Sequence, residues 1–232
     1  MIVRDLGDAW QVVLQTDHAD LSGAFARAWS TPLSEPLLIA TERHDDGWAV
    51  WEQAPRVDQE GKPVNFLEVD IRSHLAFYRA GIAAITEQDA DAGLLVSMHG
   101  AGIYRQRYGL DPGLGLARAA EAQAEVDAFV AEQEAKFGGD PGDRRDEYEL
   151  LQLFDRLSLY FCIRDAENGE PEPVELQSYT LEATGPWQVR ITPYPFAEAP
   201  ATFSLKRRVI GKSDGVEVLS TEPETVAIAV SA

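Results

Sequence analysis

The chain has 232 residues, with 20 Lys and Arg against 39 Asp and Glu, giving a formal charge of −19 at neutral pH. Its 45% hydrophobic and 25% charged residues are those of a globular protein, and the negative field disfavours nucleic-acid backbones and anionic membranes, so neither is expected as a partner. One Cys forms no intrachain disulfide, the start Met1-Ile2-Val3-Arg4-Asp5 has no leader-like pattern, and no apolar run approaches the ~18 residues of a membrane span, so a soluble cytoplasmic protein is the expectation.

Ile2 to Arg4 and Trp10 to Leu14 read as two short strands around the turn-forming Gly7-Asp8. Asp17 is a candidate N-cap for a helix from His18 to Trp29, with Leu21, Phe25 and Ala28 on one side and His18 on the same face. Ser34-Glu35-Pro36 starts a second helix that ends at Asp45 before Gly47. Leu37, Ala40, Thr41 and His44 form its inward stripe, and Asp45 follows at once. Trp48 to Asn65 reads as a surface excursion.

A third helix spans Ile71 to Ile85. A fourth, from near Asp91, carries Leu94, Leu95, Met98 and His99 up to Gly100-Ala101-Gly102, small residues that would let a neighbouring backbone approach His99. Leu114 to Phe137 has helical spacing, the cluster Gly138 to Gly142 breaks the chain, and Arg144 to Ile163 reads as a central core helix. Beyond Asp165 come alternating runs such as Trp187 to Ile191 and Thr202 to Leu205, with Val226 to Val230 as a candidate edge strand. The expectation is a mainly α protein. Residues 1–164 would form a helical bundle with a short N-terminal hairpin, and 165–232 a small antiparallel sheet packed on it.

The scarce ionisable groups carry the functional signal. His18, His44, His99 and Asp155 each lie on the apolar side of a different helix, and Asp45 adjoins His44. Asp155, between Phe154 and the face of Leu151, Ser158 and Leu159, would be buried, which is costly for a carboxylate unless it is paired or binds a metal. Inward imidazoles and carboxylates on separate helices are what a bundle-core metal site requires, and this N/O donor set suits one or two divalent ions such as Fe, Mn, Zn or Mg. An Arg partner or a backbone cap for Asp155 is the alternative. His74 is read as structural or exposed, and Cys162 as an inert core thiol.

Three segments, Thr41 to Trp51, Leu95 to Gly100 and Phe154 to Tyr160, resemble the bacterial family of unknown function DUF3891, a likeness that reaches to about Cys162. More remotely, the order His18, His44-Asp45, His99, Asp155 resembles that of the HD-domain superfamily of metal-dependent phosphohydrolases. That resemblance implies His18, His44, Asp45 and Asp155 as ligands of a first ion. Asp45 would bridge to a second ion held by His99, with metal-activated water attacking a small phosphorylated compound. Arg105, near His99, is the candidate to clamp anionic substrate oxygens. Two rivals stand beside this reading: a di-iron oxygenase on the same ligands, and a non-enzymatic scaffold that pairs its polar core groups and recruits a partner or a second copy through Val226 to Val230.

Overall fold

Apolar alternation at the start of the chain produces a hairpin: β1 (Ile2–Asp5) and β2 (Ala9–Val13) run antiparallel, with Ile2 opposite Val13 and Asp5 opposite Trp10. Gly7 turns the chain at φ +94°, a conformation that suits a residue without Cβ. The structure, a computed structural model, describes all residues except 55, 60, 111–121, 167–171 and 213–221.

The helices follow: α1 (Gln15–Arg27), α2 (Glu35–Arg43), the single turn α3 (Ala49–Glu52), α4 (Ile71–Gln88), α5 (Ala90–Tyr104), α6 (Gln123–Glu134) and α7 (Arg145–Ile163). Their starts have local causes. Ser34 Oγ accepts from the Leu37 N–H at 3.3 Å, Asp70 from Ser73 at 2.9 Å and Asp89 from Ala92 at 2.8 Å, each satisfying an orphan donor of the first turn. α1 differs from the sequence reading. It begins before Asp17, which lies in its first turn, and Leu14 offers no cap, so the Glu52 carboxylate from α3 accepts from the Gln15 N–H at 2.6 Å instead. The start of the predicted helix Leu114 to Phe137 lies outside the described residues.

The expected all-helical core with a small C-terminal sheet is not what forms. β3 (Val174–Leu176), β4 (Tyr179–Gly185), β5 (Gln188–Thr192), β6 (Ala201–Gly211) and β7 (Glu224–Ser231) join the N-terminal hairpin in one curled seven-stranded sheet, ordered β1-β2-β6-β7-β5-β4-β3. Neighbours are antiparallel except β5 and β7, which are parallel, so the sheet is mixed. The physical reason is the length of β6. Its residues Ala201–Arg207 pair with β7 and Arg208–Gly211 pair with β2, so one strand ties both ends of the chain together. Val226 to Val230 is therefore not an edge strand: β6 pairs along all of it and β5 joins its other side from Ala229.

The sheet's inward residues Val189, Ile191, Phe203, Leu205, Ile228 and Val230 pack on Leu21 and Phe25 of α1 and on Phe154, Leu157 and Phe161 of α7. A second apolar cluster joins α2, α4, α5, α6 and the N-terminal half of α7 through residues such as Leu37, Ile82, Leu95, Phe129 and Leu151. α1 and α7 thus rest on the sheet, and α7 also reaches into the helical cluster. No described helix is long and apolar enough to cross a membrane.

Candidate metal centre

His18 projects from α1, His44 caps the C-terminal end of α2, Asp45 follows it, His99 comes from α5 and Asp155 from α7. All five are at most 3% exposed, and they meet. His18 Nε2 lies 3.2 Å from His44 Nε2 and 3.1 Å from Asp155 Oδ1, and His44 Nε2 lies 3.6 Å from Asp45 Oδ2 and 3.7 Å from Asp155 Oδ1. In two groups the donor atoms lie within 4.8 Å of one another, close enough that they could hold an ion: His18, His44 and Asp155, and His44, Asp45 and His99.

Hydrogen bonds at Nδ1 fix the orientation of each ring. His44 Nδ1 donates to the Thr41 carbonyl at 2.8 Å, so Nε2 is the nitrogen that faces the cluster. Ser158 Oγ, which reaches the Asp155 carbonyl at 3.1 Å, lies against His18 Nδ1, so His18 Nε2 likewise faces the cluster. His99 is set the other way. Arg107 donates to Gln152 Oε1, which turns the Gln152 amide nitrogen towards His99 Nδ1 at 2.9 Å, and the proton of this imidazole then sits on Nε2.

The carboxylates are oriented too. Asp45 accepts from the Tyr78 hydroxyl at 2.9 Å and from Gln15 Nε2 at 3.2 Å, while Asp155 Oδ2 accepts from Arg107 Nη1 at 2.8 Å. Burial opposes the charge on Asp155, but the Arg107 guanidinium and the hydrogen bonds of His18 and His44 hold its carboxyl well below the usual carboxylate range. Burial likewise opposes charging His44, yet Asp45, Asp155 and the Thr41 carbonyl outweigh it and raise its pKa to about 9. Burial and then the neighbouring His44 drive the His99 pKa well down, so that ring is neutral. Burial and Asp45 push the Tyr78 phenol well up, and it stays a donor.

Backbone detail makes this convergence feasible. A Cβ on Gly47 would lie 2.0 Å from the Phe77 carbonyl oxygen, so glycine there lets the His44-Asp45 corner sit on α4 beside Tyr78. α5 runs on through Gly100-Ala101-Gly102, and what approaches there is a side chain, because a Cβ on Gly102 would meet the Tyr148 hydroxyl at 2.1 Å. After α5, Gln106, Arg107 and Tyr108 take φ of +49°, +49° and +52° and Gly109 +93°, a left-handed turn that swings Arg107 back over α7.

The five residues singled out by sequence therefore come together. Arg105 does not join them: it is on the surface, paired with Glu134 at 3.1 Å, and Arg107 is the guanidinium at the centre. Sequence reasoning also missed Gln15, Tyr78, Gln152 and Ser158, for which helical spacing gives an inward face but no partner. A cavity of about 230 Å3 opens onto the cluster. Its floor holds His18, Asp45, His99, Arg107 and Asp155, and its walls are apolar, with Phe66, Val69, Ile71, Ile103, Leu159 and Ile163. His74 also lines it, with its Nδ1 2.5 Å from the Tyr104 hydroxyl.

Comparison with known protein families matches residues 1–212 to the family described as "Protein of unknown function (DUF3891)". This chain belongs to that family. No curated protein and no solved structure matches it.

Proposed function

We propose that this chain is a metal-dependent hydrolase acting on a small phosphorylated compound, with one divalent ion held by His18, His44, Asp45 and Asp155. The observation that carries the reading is that the Nε2 atoms of His18 and His44 lie 3.2 Å apart and each 3.1–3.8 Å from a carboxylate oxygen of both Asp45 and Asp155. A ligated imidazole is neutral, so with an ion bound the two carboxylates face a single guanidinium and the cation offsets their excess charge. The donor chemistry, nitrogen and oxygen without thiolate, fits Fe, Mn, Zn or Mg. The order of these residues along the chain, which resembles the HD-domain pattern, supports the same reading.

One ion fits better than two. His44 has a single nitrogen to give, since its Nδ1 is committed to Thr41, and both ligand groups need it. His99, with its proton held on Nε2 by Gln152, then serves as a neutral hydrogen-bond donor to a substrate oxygen. A bound divalent ion supplies Lewis-acid activation of water near neutral pH and polarisation of a phosphoryl oxygen. Gln15 and Tyr78 hold Asp45 in orientation, Ser158 and Thr41 hold the two imidazoles, and the apolar walls exclude bulk water and receive the non-reacting body of the substrate.

The test is elemental analysis of the purified protein, before and after incubation with Fe, Mn, Zn or Mg, beside hydrolysis of a phosphoester panel. His44→Ala and Asp45→Ala are expected to remove both the ion and the activity. Absence of a stoichiometric ion under all these conditions overturns the proposal. The apolar walls favour one second reading, oxygen chemistry at iron on an apolar substrate. Oxygen uptake by the iron-loaded protein without phosphoester hydrolysis would select it.

A further inference from the structure

A second cavity, of about 450 Å3, lies between the C-terminal half of α7 and strands β3 and β4. Arg107, Leu159 and Ile163 line both cavities, so the two spaces share a wall. Arg107, Arg156 and Arg164 border the second one, a concentration of guanidiniums in a chain of charge −19. Glu175 borders it as well, with its carboxylate accepting from the Thr180 hydroxyl at 3.0 Å.

Arg164 stands apart. It is 4% exposed, its guanidinium lies 5.0 Å from the ring centre of Tyr160 and 5.6 Å from that of Phe161, and Nη1 donates to the Tyr160 hydroxyl at 3.1 Å. Nε and Nη2 are buried without an acceptor, and among the described residues no carboxylate pairs with this side chain. By contrast Arg107, the other buried arginine described, is committed to Asp155 and Gln152. A buried guanidinium with an unused edge is unfavourable unless something supplies oxygens to it. The Nε–Nη2 edge is the one whose parallel N–H groups match two oxygens of a carboxylate or phosphate, and the two rings hold its plane in place.

We propose that the second cavity is a subsite for an anionic oxygen group, a carboxylate or a phosphoryl, received by the Nε–Nη2 edge of Arg164. The same molecule would reach the metal centre across Leu159 and Ile163, making it a compound with two polar ends joined by an apolar stretch. This last step rests on the proposed function, whereas the anion subsite does not.

The metal-free protein, titrated separately with inorganic phosphate and with acetate and followed by calorimetry, tests the subsite. Saturable binding of at least one anion is expected. Arg164→Gln should weaken it about tenfold or more, the loss expected for a hydrogen bond to a charged group, while His44→Ala leaves it intact. Val174→Glu places a carboxylate at an exposed position lining the cavity, so it should weaken binding without disturbing Arg164, which keeps the test informative if Arg164→Gln fails to fold. Tighter phosphate than acetate assigns a phosphoryl group, and the reverse a carboxylate. No binding of either anion, binding unchanged in both cavity variants, or binding lost in His44→Ala alone overturns the subsite. A protein that binds phosphate at Arg164 but retains no metal would instead refute the proposed function and leave the subsite standing.

Discussion

Arg107 and Asp155 form a buried pair whose balance depends on what else is bound nearby. Arg107→Gln strips Asp155 of its guanidinium, and an uncompensated buried charge costs about 3–5 kcal/mol. That loss should appear in denaturant unfolding of the metal-free protein and shrink when the protein is saturated with a divalent ion, and equal losses in both forms would mean that no cation acts on Asp155. His44 sets a pH dependence. Its folded pKa of about 9 lies above the ordinary 6.5, so in the metal-free protein its contribution to stability is fully present below pH 6.5 and fades as the pH rises through 9. His44→Gln should flatten that window in a series of thermal midpoints, and an unchanged profile would show that the charge resides elsewhere. At this scale the clustering of His18, His44, Asp45, His99 and Asp155 was legible, because rare imidazoles and an aspartate on apolar helix faces turn towards a common interior. Arg107 was not: helical spacing pointed to Arg105, and nothing in Gln106-Arg107-Tyr108 announces a run of left-handed residues.

Among elements, the corner between α2 and α3 depends on contact between backbones. Gly47→Ala would drive a methyl into the Phe77 carbonyl, an overpacking that costs about 1–3 kcal/mol and displaces the His44-Asp45 corner from α4. A lower thermal midpoint together with weaker metal retention is expected, and wild-type values of both would show that the corner tolerates the shift. The helices themselves were readable, since Ser34 caps α2 as the sequence suggests and the apolar stripes run inward, whereas Asp17 is no cap and those at Asp70 and Asp89 were not singled out. Strand pairing was not. Alternation identified β5, β6 and β7 as strands with one buried face, but alternation carries no record of the neighbour. The hairpin of β1 and β2 looked complete in itself, and its partner Arg208–Gly211 lies almost the whole chain away.

For the whole molecule, the joint sheet makes the two ends of the sequence interdependent. Residues 1–164 expressed alone would lose Phe203, Leu205, Ile228 and Val230 from the inner faces of α1 and α7, so this fragment should show no cooperative unfolding transition and retain no ion. A cooperative fragment that binds metal would prove the helices self-sufficient. The sheet order also has a temporal side. Synthesis delivers all five clustered residues by Asp155, yet β7, which stands between β5 and β6, is made after both, and pairings between distant segments form slowly. A chain still on the ribosome thus holds its imidazoles and carboxylates without the surface that aligns α1 against α7. Selection among competing ions would begin only once β7 has paired, when the geometry that distinguishes them first exists.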